Sequence, residues 1–188
     1  MTEKTLNRHL RPYGLTVLGW TQGGQRDKTI ALIGPHEPGF WALFTQSAEW
    51  QTAKADPLDR WSKRVITMLA EKLGATAHFP FGADSKPFLS WAMASNTAWQ
   101  SPVGMLVHET AGLLVSYRGA LEFDAPIAFP RAQNPCPKCA APCTDACPVG
   151  ALTPQGYDTK RCREYLKTPA GASCLKKGCK VRDRKSVV

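Results

Sequence analysis

Four of the chain's seven cysteines fall within twelve residues, in the segment "NPCPKCAAPCTDACPVGAL" (134–152), at the spacing CxxCxxxCxxxCP. All seven lie between Cys136 and Cys179, and the preceding 135 residues contain none. An odd number of thiols crowded into one stretch makes a poor disulfide framework. The amino terminus "MTEKTLNRHLRPYG" has no apolar segment of signal-peptide length, and no run approaches the roughly eighteen apolar residues of a membrane helix. The expectation is a soluble cytoplasmic protein, with no membrane partner, whose cysteines bind metal.

A cubane iron–sulfur cluster needs thiolates on four separate irons. A tight loop supplies three of them readily and the fourth with difficulty, so three close cysteines hold one cluster while a fourth, followed by proline, reaches another. On this pattern Cys136, Cys139 and Cys143 are three legs around a first cluster. Cys147, with Pro148 turning the backbone away, is a leg of a second. The spacing exceeds the commoner CxxCxxCxxxCP by one residue, next to Pro142. Downstream, "KRCREYL" offers Cys162 and "ASCLKKGCKVR" offers Cys174 and Cys179, which with Cys147 complete a set of four. The first site has three cysteines, and no cysteine follows Cys179. That permits a [3Fe–4S] centre, a [4Fe–4S] centre with a non-cysteine or exogenous fourth ligand, a labile, empty half, or a truncated or altered terminus. Zinc is the competing reading, since four thiolates bind it tetrahedrally. Zinc ribbons, however, set two CxxC knuckles well apart, whereas this block is contiguous and ends in proline.

The charge is as uneven as the cysteines. Residues 1–130 carry twelve Lys/Arg against eleven Asp/Glu; residues 131–188 carry twelve against four, which is nearly all of the net +9. A basic tail of this kind either meets an acidic protein or a nucleic acid, tRNA included, or offsets anionic thiolate–metal clusters.

Residues 1–123 read as an α+β domain with a largely antiparallel sheet. "GLTVLGWTQGGQRDKTIALIGP" suggests two strands joined by a hairpin turn at Gly23 and Gly24, and "EPGFWALFTQ" a short helix. "DPLDRWSKRVITMLAEKLG" is the clearest element. Asp56 stands at the N-cap, Pro57 at the first helical position, and Trp61, Val65, Met68, Leu69 and Leu73 recur at helical spacing before Gly74. "ATAHFPFG" suggests a strand, "PFLSWAMASN" a helix, and "GMLVHETAGLLVSYRGALEF" a second hairpin around Thr110–Gly112. Residues 124–135, with three prolines in "DAPIAFPRAQNP", read as a linker to a metal-binding module over 136–188.

Polar sites in the first domain are sparse. His9, His36, His78 and His108 read as structural or surface histidines, the six tryptophans as core residues, and Asp84 in "GADSKPFL" as a turn former. No glycine-rich phosphate fingerprint follows a strand.

With these residues in hand, the chain resembles the bacterial ferredoxin-type proteins related to epoxyqueuosine reductases and, more distantly, reductive dehalogenases. The likeness rests on "CPKCAAPCTDACPVGAL", "RCREYL" and "SCLKKGC", with a further likeness in "SPVGMLVHETAGLLVSYRGALEF", and spans roughly residues 80–180. It implies a nitroreductase-like, corrinoid-binding α+β domain followed by a two-cluster ferredoxin module. Carried over, Cys136, Cys139 and Cys143 serve the first cluster, and Cys147, Cys162, Cys174 and Cys179 the second. The family's closing Cys-Pro has no counterpart, with Lys185 and Ser186 near where it would fall.

Three functions follow. The first is an electron-transfer protein with a redox protein partner, requiring no substrate chemistry. The second is a reductase whose first domain holds a corrinoid or flavin. The third is a zinc-stabilised, basic nucleic-acid module.

Overall fold

The computed structural model describes residues 1–23, 27–52, 54–129 and 131–182. In chain order the elements are α1 (Glu3–Leu10), β1 (Leu15–Gln22), β2 (Thr29–Pro35), α2 (Phe40–Phe44), α3 (Ala48–Gln51), α4 (Pro57–Leu73), β3 (Thr76–His78) and α5 (Phe88–Ala94). Then come β4 (Ala98–Gln100), β5 (Leu106–His108), β6 (Gly119–Phe123), β7 (Leu152–Thr153), β8 (Gly156–Tyr157), α6 (Thr159–Leu166) and α7 (Ala172–Lys177). The sheets are antiparallel throughout, so the architecture is mixed α/β of the α+β kind.

Contacts divide the chain into two compact units. One comprises Met1–Ser95 and Ser116–Arg131; the other comprises Asn96–Val115 and the chain from Ala132 onward. The division differs from the expected cuts. Residues 96–115 group with the cysteine-rich segment instead of the 1–123 domain, and the expected linker begins inside the first unit. There Thr29 Oγ1 donates to the Ala125 carbonyl at 2.8 Å and accepts the Ile127 N–H at 3.0 Å. Ile127 and Phe129 pack on the first unit's core.

In the first unit the four strands run β1-β2-β6-β3. The β1–β2 hairpin is as the sequence suggests; Gly24 of its expected turn lies outside the described residues. Two faces close the core. Leu6 and Leu10 of α1 and Trp61, Val65, Ile66 and Leu69 of α4 are buried with Ile33 and Leu121 of the sheet. Asn7 ties α1 to β1: its Oδ1 accepts the Val17 N–H at 2.8 Å and the Thr16 hydroxyl at 3.0 Å.

The helix α4 begins and ends where its sequence predicts, with two differences. Asp56 has φ +49° and its side chain makes no capping hydrogen bond, because the left-handed backbone turns that side chain away from the first-turn N–H groups. Met68 is exposed, since the buried stripe runs through Trp61, Val65 and Leu69 and leaves position 68 at its margin. Gly74, at φ +63°, closes the helix: its N–H reaches Glu71 while Ala75 N–H reaches the Ala70 carbonyl at 2.9 Å.

Two further expectations are corrected. The hairpin around Thr110–Gly112 is reduced to a single antiparallel bridge between His108 and Gly112, whose N–H groups reach each other's carbonyls at 3.0 and 2.9 Å, with no second strand. β5 pairs instead with the upstream β4, and β6 pairs with β2 and β3. The apolar run in "GLLVSY" marks burial without strand pairing: Leu113 and Val115 are buried in turns. The tryptophans are not uniformly core. Trp20 and Trp61 are buried, whereas Trp41 and Trp50 are exposed and meet each other and Phe44 as tilted or edge-on rings 5.4–5.5 Å apart.

Candidate metal centre

The cysteine-rich unit is built from short pieces. Hydrogen-bonded turns shape the loop that carries the first thiols: Asn134 Oδ1 accepts the Cys136 N–H at 3.0 Å, and Cys139 N–H bonds the Cys136 carbonyl at 3.0 Å. Ala141, at φ +52°, then reverses the chain ahead of Pro142 and a single 3-10 turn, Pro142–Thr144. Because of that reversal the Ala141 N–H points back at the Cys139 Sγ, 3.4 Å away. After Cys147, Pro148 begins a second reversal in which Gly150 N–H bonds the Cys147 carbonyl at 3.0 Å and Ala151 N–H reaches the Cys147 Sγ at 3.2 Å. Asp158 caps α6 by accepting the Arg161 N–H at 2.9 Å.

All seven cysteines are free thiols. Cys136, Cys139 and Cys143 line one narrow recess, with about 10 Å³ of room inside it, together with Ser101, Val107 and Leu113. Cys147 lies outside that recess. It and Cys179 instead pack against the unit's small apolar cluster of Val103, Val107, Leu113, Cys143, Leu152 and Val181. Cys162, on α6, accepts a hydrogen bond from the Tyr157 phenol; Cys162 and Cys179 both bear on that group electrostatically and hold its proton more tightly than usual. Cys174 lies on α7, which packs against α6. Among the described residues, no three His, Cys, Asp or Glu side chains converge on a point where one metal ion would bind.

The thiols differ electrostatically. Burial pushes the Cys136 thiol up, and the negative fields of Cys143 and Cys139 push it further. Burial likewise raises Cys143. At Cys147 burial acts the same way but is outweighed by the N–H groups of Val149, Ala151, Leu152 and Gly150, so this thiol lies below its ordinary value. Around these groups Lys138, Lys160, Arg161, Arg163, Lys167 and further Lys/Arg to Arg182 are all exposed.

No family model, no curated protein and no solved structure matches this chain.

Other candidates fall elsewhere. Asp84 is exposed ahead of α5. His108 is buried, and its Nδ1 accepts the N–H groups of Thr110 and Ala111, both at 3.2 Å, which fixes the ring as a structural element. His78 Nε2 lies 3.3 Å from Glu122 Oε2, whose other oxygen takes Lys28 Nζ at 2.9 Å. His9 and His36 are half-buried.

Sequence reasoning missed two features of the cysteine-rich unit. The N–H groups aimed at sulfur depend on backbone reversal at Ala141 and after Pro148; only the prolines hint at it. Ser101 was missed as well. Its "SPVG" is legible as a turn, but nothing local places that turn beside cysteines 35 or more residues on.

Proposed function

We propose that the chain is an iron–sulfur electron-transfer protein. Cys136, Cys139 and Cys143 hold one cluster, and Cys147, Cys162, Cys174 and Cys179 hold a second, a [4Fe–4S] centre. The observation that carries the reading is the common recess of the first three thiols. Thiols that share a recess without converging on one point suit separate irons better than a single zinc, whose thiolates sit about 3.8 Å apart given Zn–S bonds near 2.3 Å. The bound clusters supply one-electron chemistry. The chain's own residues ligate, bury and polarise: N–H groups of Ala141 and Ala151 donate to sulfur, which stabilises the more negative, reduced state and raises the potential.

On this reading the second unit is the ferredoxin-like module. The first unit stands where the epoxyqueuosine reductases that the sequence resembles carry a nitroreductase-like, corrinoid-binding domain. The partner is an acidic redox protein in the cytoplasm, met by the nine exposed Lys/Arg among the described residues of the second unit. The same cations favour tRNA as a second partner class.

The test is anaerobic purification with counts of iron, sulfide and zinc, and EPR before and after reduction. About seven or eight irons per chain are expected, with about four if only the four-cysteine site fills. Stoichiometric zinc without iron overturns the proposal, as does colourless, metal-free protein made in cells with intact cluster assembly. Cys147→Ser should remove the four-cysteine centre and leave the first unit folded; retention of every iron would refute the assignment of ligands.

A further inference from the structure

A [4Fe–4S] cluster held by Cys136, Cys139 and Cys143 has one iron open to a fourth ligand, and the recess holds a candidate. Ser101 is only 5% exposed. Its Oγ is fully enclosed and has no hydrogen-bond partner among the described residues. Leaving a buried hydroxyl unpaired forfeits its hydrogen bonds to water, so a chain that keeps one there calls for a partner the polypeptide does not itself supply. The other such atom, Tyr117 Oη, lies in the first unit.

The Ser101 backbone is already committed. Its N–H bonds the Met105 carbonyl at 2.8 Å and its carbonyl accepts the Gly104 N–H at 2.9 Å, which closes the Ser101-Pro102-Val103-Gly104 turn between β4 and β5. Pro102 suits the second position of that turn, and Gly104 takes φ +77°, where a Cβ would be strained. The turn therefore fixes where the side chain starts. Among the recess-lining residues, Pro102, Val107, Leu113 and Ala141 carry no side-chain oxygen or nitrogen. Ser101 Oγ is the single non-thiol ligand atom that the lining side chains offer.

Resting on the iron–sulfur reading above, we infer that Ser101 is the fourth protein ligand of the three-cysteine cluster. Its oxygen takes the iron that Cys136, Cys139 and Cys143 leave without a thiolate. The Fe–O bond forms as the O–H bond breaks; the proton passes to solvent, the water on that iron leaves, and no electron moves. An oxygen ligand is harder than a thiolate and favours the more oxidised core, so this centre sits at a lower potential than an all-cysteine version of itself.

The experiment compares wild type, Ser101→Ala and Ser101→Cys after the same anaerobic reconstitution. Wild type should hold about eight irons and be EPR-silent until reduced. Ser101→Ala should lose one iron per chain and show, on mild oxidation, the sharp signal of a [3Fe–4S] centre. Ser101→Cys should keep every iron and move the first centre to higher potential. Ser101→Ala should keep the iron and the reduced-state EPR signal of the four-cysteine centre in the same unit, which separates ligand loss from misfolding. An alanine variant with the full iron count and an unchanged spectrum overturns the inference, as does a cysteine variant with an unchanged potential. Wild type that already carries seven irons and a three-iron signal overturns it while the cluster reading stands. Wild type without iron overturns both.

Discussion

Among the described residues, sixteen buried apolar side chains form one cluster in the first unit, drawn from α1, α2 and α4 and from one face of a paired sheet. The cluster in the second unit has six, one of them Cys143, with Cys136, Cys147 and Cys179 packed against it. The first unit carries its stability in its own side chains. On the proposed reading the second uses the same atoms for packing and for ligation, and a core that small relies on a staple. Occupancy of the thiols should therefore decide whether the second unit is ordered and matter little to the first.

The largest effect is expected on stripping iron from the proposed clusters. Amide exchange should rise across residues 132–182 while the strands Thr29–Pro35 and Gly119–Phe123 remain protected. Tryptophan fluorescence gives an independent view, because five of the six tryptophans belong to the first unit and only Trp99 to the second. Loss of protection in both units together would show that they fold as one and would break the contrast.

The converse substitution acts on the first unit. Leu121 is fully buried at the centre of β6, and truncation to alanine removes about 2–5 kcal/mol, combining lost transfer energy with a residual cavity. Denaturant midpoints followed by fluorescence should fall accordingly, with iron content unchanged. A variant that loses its clusters as well would tie the two units energetically.

The same contrast explains what was legible in the sequence. In the first unit, period and punctuation agree. The stripe Trp61, Val65, Leu69 between Pro57 and Gly74 predicts α4, and the β-branched runs around residues 15–35 predict a hairpin, because local burial and local hydrogen bonding both decide these elements. The second unit is decided by contacts between distant segments. The run Leu113–Tyr117 is apolar enough for a strand, yet β5 found its partner upstream at Ala98–Gln100, a choice that local pattern does not encode. For the site, the spacing at 136–147 identified the three thiols that share the recess. The Ser101 hydroxyl, the sulfur-directed N–H groups and the exposed Trp41 and Trp50 required the folded chain.

A smaller effect sharpens the picture of the first unit. Asn7→Ala removes the acceptor of the Val17 N–H and of the Thr16 hydroxyl, and the stranded backbone donor costs about 1–3 kcal/mol. Amide exchange at Val17 should rise first, as α1 loosens from β1. An unchanged melting point together with unchanged exchange would mean that the Leu6 and Leu10 packing alone secures the helix.

The smallest effect is electrostatic. Glu49 of α3 receives two hydrogen bonds from Arg64 of α4, one of them Nη2 to Oε2 at 3.1 Å, and this holds its carboxyl below the ordinary carboxylate value. A carboxylate whose folded pKa is depressed stabilises the fold fully above its unfolded pKa, about 4.3, and loses that contribution as pH falls through the folded value. The Arg64 side chain is 54% exposed, so solvent screening limits the pair to less than about 1 kcal/mol. Glu49→Gln should therefore lower the first unit's urea midpoint slightly at neutral pH, and the gap from wild type should close as pH drops below the acid range of a free carboxylate. A gap that persists at low pH would assign the contribution to shape and hydrogen bonding between α3 and α4, not to charge. Because the pair lies within the first unit, the second unit's iron content should follow neither the substitution nor this titration.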